Sequence, residues 1–485
     1  MRLVTLFLCL ILVSIFDIEA QVISLDSQNT NHFTITKNEQ KRFSFVNSIV
    51  NIDSRIVKTK SGNFVKLIVP SYTFHSENIG KPELPVLHKL VQVPAGSHIS
   101  INIIHKEEEI IDLDDYRISL PILPHQPSLS KGDDAANVPF YFNTDYYSED
   151  VFSNDKLVGI EILGKMRGQQ LARLSINPFS YNPVTNVLKI IKRVEIEITF
   201  NNIDYSNDKK LRSTYYSREF ENLYKKCVNY LPISSKDVIT TYPVKYVIIS
   251  DPMFQTVLQP LIEWKTKKGF TVIEGYTNDP NVGNTTASIH AFLDSLYDNA
   301  TVSDPAPTYL LLVGDDTQIP SFPGNTGSHI SDMYYCEFDG FGDFYPEMYY
   351  GRFSATNTGE LESQIHKTLT HEKYTFADPT FLEEVVLVAG VDASMAATYG
   401  NGQINYGTDY YFNTTHGLVV NNYLYGSGTP ITSDMPQASA AIISDISDGC
   451  SFANYTAHCG SAGWSDPSFE TSDIPSLQNL DKYGV

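Results

Sequence analysis

From residue 242 onward the chain keeps one rhythm, in which short apolar runs alternate with helical patterns. Residues 246–249, 270–273, 309–313, 385–388, 418–424 and 451–457 read as strands. Helical patterns over 256–268, 287–297, 359–374 and 437–446 separate most of them. Apolar strands alternating with helices bury their surfaces as a parallel sheet covered on both faces. The rhythm therefore sets an α/β class for 242–485. It also says where chemistry is to be sought, because ligands of such sheets bind beyond the carboxyl ends of the strands. Asp251, Asp315 and His458 all stand at such ends.

The preceding part reads differently. Residues 64–69, 99–104, 188–191 and 194–200 alternate or are β-branched, and Gly80-Lys81-Pro82, Pro94-Ala95-Gly96 and Asn182-Pro183 supply turns between them. Short strands with frequent turns predict a sandwich or barrel-like domain over 21–210. A chain of 485 residues is too long for one ordinary domain. Residues 211–241 are polar, with Arg212, Arg218, Lys225 and Lys226. They read either as a linker open to activation cleavage or as a charged connection with a short helix.

Met1-Arg2, an apolar run over 3–16 and the small residue Ala20 fit a secretory signal peptide over 1–20. The run is short for a membrane span. A secreted or cell-surface protein is expected. The formal charge of −21 argues against a nucleic-acid partner, which needs clustered Lys and Arg. Cysteines are too sparse for a disulfide scaffold. Cys450 and Cys459 flank a strand that would hold them roughly 30 Å apart, against the 7 Å or so that a bridge allows.

His458 enters a loop containing Cys459, Gly460, Ser461, Gly463 and Trp464. Small residues there let a substrate backbone approach a catalytic histidine. A structural histidine is the competing reading. Cys459 is not the expected nucleophile, since neighbouring side chains on a strand point to opposite faces. Glu347 precedes the apolar strand that ends in Gly351-Arg352-Phe353-Ser354. A carboxylate so placed would orient an imidazole and stabilise its charged form, although a solvated strand-edge glutamate reads equally simply. Asp315, Asp332 and Asp343 lie among glycines and offer hard oxygen ligands for calcium. Their spacing matches no EF-hand loop, and turns or helix caps explain such residues too.

At these residues the chain resembles the gingipain family of secreted cysteine peptidases. The likeness rests on LLLVGD at 310–315, SDMYY at 331–335, PEMYYGRFS at 346–354 and NYTAH at 454–458 followed by glycine, serine and tryptophan. Residues 80–96 resemble that family's propeptide. The resemblance implies a caspase-like α/β parallel-sheet sandwich behind a β-rich propeptide domain, made as a zymogen that hydrolyses peptide bonds with a Cys–His pair. It implies that His458 is the catalytic histidine and Glu347 its carboxylate partner. Backbone at Gly460 would help to hold the oxyanion, and Trp464 and Glu360 would belong to the substrate pocket. No cofactor is required, and structural calcium is compatible. Protein or peptide substrates, the chain's own propeptide and cell-surface export machinery are the implied partners. The family's nucleophilic cysteine lies on the strand after the histidine, so it is expected beyond residue 485, with the sheet incomplete at its C-terminus and the fragment inactive. Cys459 also departs from the family's His-Gly-Ser order. A sortase-like transpeptidase of the same family, and a non-catalytic secreted binding module on a peptidase fold, are the alternatives.

Overall fold

The computed structural model describes residues 21–26, 30–128, 137–232, 243–325, 329–340, 342–391, 396–426 and 435–484. The expected signal peptide lies outside them. The chain divides into two compact units. The first comprises Met1–Lys245, His290–Leu310 and Phe322–Tyr350, and the second holds Tyr246–Ile289, Leu311–Ser321 and Gly351–Val485.

The first unit is built on strands β1 (Gln21–Ser24), β2 (His32–Glu39), β3 (Arg42–Ser48), β4 (Asn51–Thr59), β5 (Gly62–Ile68), β6 (Phe74–His75), β7 (Pro85–Val93), β8 (His98–Asp112), β9 (Val158–Met166), β10 (Gln169–Ile176), β11 (Phe179–Asn182) and β12 (Val187–Asn201). They form three sheets, ordered β1-β4-β5, β6-β7-β10-β9 and β11-β12-β3-β2, with β8 alongside β12. The period of two decides which faces turn inward. On β12, Val194, Ile196, Ile198 and Phe200 are buried while Glu195, Glu197 and Thr199 are half-buried between them. These side chains share one core with Phe43, Leu67, Val91 and Leu174 from the other strands. Each fully buried Ile, Leu or Phe there contributes roughly 1.5–3 kcal/mol. The β-rich expectation for this part describes that core.

Residues 205–232 do not behave as a bare linker. Helices Tyr205–Thr214 and Arg218–Tyr224 form there, the first capped by the Asp204 side chain. Phe220, Tyr224 and Cys227 are buried against Met166 and Leu171. Residues 233–242 lie outside the described ones.

The alternation of strand and helix falls mostly in the second unit. Strands β13 (Lys245–Ser250), β14 (Thr271–Tyr276) and β15 (Tyr309–Val313) join β18 (Tyr349–Phe353) in the order β14-β13-β15-β18. The short strands β16 (Phe322–Pro323) and β17 (Ile330–Ser331) pair in the first unit. A separate parallel sheet, β20-β19-β21, consists of β19 (Glu384–Ala389), β20 (Val419–Tyr423) and β21 (Phe452–Thr456). Helices Gln255–Lys267, Thr286–Asp298, Thr358–Lys373 and Met435–Asp448 stand where the sequence patterns put them. The central strand β19 is buried along nearly its whole length because other apolar groups cover it on both sides. No helix among the described residues is long and apolar enough to cross a membrane.

Candidate active site

His458 lies two residues beyond β21, exposed, at the carboxyl end of a parallel strand. Tyr455 holds the loop that follows. Its hydroxyl donates to the carbonyl oxygens of His458 (3.0 Å) and Asp466 (3.2 Å) and accepts from the Asp466 N–H (3.3 Å). Short strands β22 (Cys459–Gly460), β23 (Gly463–Trp464) and β24 (Phe469–Glu470) fold the loop into a ribbon. Trp464 stacks flat on Tyr455, with ring centroids 4.7 Å apart, and leans on Phe469 at 5.3 Å. One indole face is therefore spent on the loop.

The small residues of this loop divide into two kinds. Gly463 has φ 148°, and a Cβ there would come within 2.2 Å of the Phe469 carbonyl oxygen. Gly390, beyond β19, faces the Asp466 carbonyl so closely that a Cβ would lie 2.7 Å from it. Both are required by the protein's own backbone. Gly460 is exposed and nothing stands within 4 Å of where its Cβ would be, so the backbone there is open to an incoming group.

Glu347 is not a solvated strand-edge residue: its exposure is 0 %. Its Oε2 accepts from the Phe338 N–H at 3.3 Å. Burial, then the negative charge of Asp339, pushes its pKa up to about 9. The Phe338 N–H bonded to Oε2 pulls the other way without reversing the direction. At neutral pH the carboxyl is therefore protonated. A neutral acid offers no counter-charge to an imidazolium, so its state differs from the one expected of an orienting carboxylate. Glu347 belongs to the first unit and His458 to the second.

Glu360 is engaged at a helix start. Its Oε2 accepts from the Thr356 N–H (2.6 Å) and hydroxyl (3.0 Å), while its own N–H donates to the Asn357 side chain (3.1 Å). This is a capping arrangement at the start of helix Thr358–Lys373. The Thr356 backbone N–H and then its hydroxyl hold the carboxyl below the usual range. That carboxylate serves the helix start.

The three aspartates do not converge. Asp315 accepts from the Asp316 N–H in the turn after β15. Asp332 precedes the short turn Met333–Cys336. Asp343 accepts from the N–H groups of Lys165 (2.7 Å) and Tyr345 (3.1 Å). Among the described residues no group of three or more His, Cys, Asp or Glu side chains is placed to hold a metal ion.

The cysteines sort by burial. Cys227, Cys336 and Cys450 are buried free thiols, and Cys459 is an exposed one. Burial pushes Cys227 up to about 12 and Cys450 up to about 11, and raises Cys336 well above the ordinary value. A nucleophile must be a thiolate, so these three are inert at neutral pH.

The sequence pattern that describes "Peptidase family C25" matches residues 239–485, and that of "Propeptide_C25" matches 22–227. The chain belongs to peptidase family C25. A Lys-gingipain of Porphyromonas gingivalis strain W83 is 36% identical to it over 462 residues, which is 95% of this chain and 26% of that protein. Gingipain R1 of the same organism is 24% identical over 422 residues, 85% of this chain and 40% of that protein. A solved structure concerned with the zymogenic latency of gingipain K from P. gingivalis is 36% identical and covers 38% of this chain and 99% of its own, with a TM-score of 0.36. The chain thus spans about a quarter of the length of the Lys-gingipains it matches.

Two C25 residues escaped sequence reasoning. Arg352 of the Gly-Arg-Phe-Ser run donates to the carbonyls of Gly314 and Ile319, both at 2.8 Å, and so holds the loop beyond β15. Tyr455 was visible only as part of the strand before His458. An aromatic residue three positions before His458 was the available signal, and its hydroxyl contacts needed the fold.

Proposed function

We propose that this chain comprises the propeptide and the histidine-bearing part of a secreted or cell-surface cysteine endopeptidase made as a zymogen. The observation that carries the reading is the succession of propeptide and peptidase matches in one chain, with His458 at the carboxyl end of a parallel strand. In this reading His458 takes the proton of a cysteine thiol and returns it to the leaving amine. The open backbone at Gly460 is suited to hold the oxyanion. The buried thiols of Cys227, Cys336 and Cys450 are unsuited to attack. Higher identity to Lys-gingipain than to gingipain R1 favours substrates with lysine before the scissile bond.

The test is expression of the gene's full product and its His458→Ala variant, each incubated with peptides carrying Lys or Arg at that position. Hydrolysis after Lys that disappears in the variant supports the reading. Equal turnover by the two proteins refutes the role of His458. Transfer of the acyl group to an added amine in place of water would mark a transpeptidase.

A further inference from the structure

The tip of the β9–β10 hairpin carries a side chain that the chemistry above leaves unused. Arg167 is 1 % exposed, and a guanidinium is rarely buried without partners. Its Nε donates to the Tyr215 carbonyl at 2.9 Å, and its Nη1 donates to the carbonyls of Pro307 and Glu347, each at 2.7 Å. The guanidinium lies 5.1 Å from the centre of the Phe220 ring and 5.8 Å from that of Tyr297. The backbone is bent to deliver it. Arg167 has φ 48° and Gly168 φ 69°, a left-handed pair that suits a tight hairpin but strains a residue with a long side chain. Beside it, Lys165 Nζ pairs with Asp339 at 3.2 Å. Gly164 approaches so closely that a Cβ would lie 2.4 Å from Asp343 Oδ1.

The hairpin lies within the propeptide match. The carbonyls of Pro307 and Glu347, the Tyr297 ring, Asp339 and Asp343 lie within the C25 match. We propose that Arg167 is the anchor by which the propeptide-like segment grips the peptidase segment, in a guanidinium socket made of backbone carbonyls and the Tyr297 ring. The inference rests on the zymogen reading and adds a residue and a recognition chemistry to it. The hydrogen-bonded acceptors are carbonyl dipoles, so recognition depends on the planar fork of donors and on the π face rather than on charge alone. A lysine ammonium carries its donors on one nitrogen and does not reproduce that fork. Once the chain is cut between the two matches, the hairpin holds the segment without a covalent bond, and Arg167 governs how fast it leaves.

The test uses the full chain with a specific protease site placed within 233–238. After cutting, size exclusion and exchange with a labelled propeptide fragment give the dissociation rate. Wild-type fragments are expected to co-elute. Arg167→Ala is expected to release them at least about a hundredfold faster, and Arg167→Lys to stand nearer the alanine variant than the wild type. Rates within about twofold of one another overturn the proposal. Circular dichroism and melting of the uncut chains report whether each variant folds. Should Arg167→Ala fail to fold, Arg167→Lys and Tyr297→Leu decide, with release expected at least about tenfold faster and unchanged rates overturning the anchor. The readout contains no peptidase activity. A parent enzyme that cleaves nothing would sink the zymogen reading and leave the rates standing, whereas unchanged rates with an active parent would sink the anchor alone.

Discussion

Replacing Glu347 by Gln should make the protein more stable at neutral pH, although Glu347 is fully buried. Its carboxyl has an ordinary value of 4.5 and is pushed up to about 9 in the fold, first by burial and then by Asp339. The unfolded chain releases that proton above 4.5, while the folded chain keeps it. Between those limits the native state binds more protons, so stability falls as pH rises. The favourable contribution is complete below 4.5 and lost as pH passes through about 9. Each pH unit in that window costs about 1.4 kcal/mol, so folding at pH 7 carries a penalty of about 3 kcal/mol. Glutamine has nothing to protonate, and its amide oxygen can still accept from the Phe338 N–H that now bonds Oε2. The assay is denaturant unfolding of both proteins at intervals from pH 4.5 to 8.5. Glu347→Gln should gain on the wild type steadily across that range, reaching a few kcal/mol by pH 7 to 8. Parallel pH profiles, or a wild type that gains on the variant as pH rises, would refute the reasoning and mean that the carboxyl is ionised in the fold.

Tyr455→Phe removes the hydroxyl shared by His458 and Asp466 and should destabilise their loop by about 1–3 kcal/mol, seen as faster amide exchange over 458–466 while β19 stays protected. Gly390→Ala places a methyl 2.7 Å from the Asp466 carbonyl and should cost about 1–3 kcal/mol in thermal melts, with no loss expected for Gly460→Ala. In the native chain Cys459 should react with an aromatic disulfide reagent within minutes, whereas Cys227, Cys336 and Cys450 should react only on unfolding, as mass spectrometry of the labelled peptides would show. A native chain that labels equally at all four would contradict the burial assigned here.

The legible part of the site was the part encoded in short stretches. His458 could be placed because a β-branched or aromatic run followed by small residues announces the end of a strand, and β21 ends two residues before it. Glu360 was ambiguous because a carboxylate just inside a helix reads the same whether it caps the backbone or faces a ligand. Only the 2.6 Å contact to the Thr356 N–H separates the two. The stacking of Trp464 was equally hidden, since its partner sits on another short strand. Glu347 was singled out as a carboxylate partner for an imidazole, but its protonation follows from burial, and burial is a property of the packed chain.

Sequence periodicity alone determined the β-rich first part, the alternation of strands and helices after residue 242 and the strand ends at which Asp315 and His458 stand. Period two and period 3.6 are local properties that each segment carries whatever surrounds it. What only the tertiary structure decided are the quantities that depend on distant neighbours. Arg167 lies 140 residues from Pro307 in the chain and 180 from Glu347, yet its guanidinium meets the carbonyls of both. Neither the buried cation nor the neutral acid beside it could be read locally, because desolvation and hydrogen bonding are set by whichever atoms folding brings to the same place.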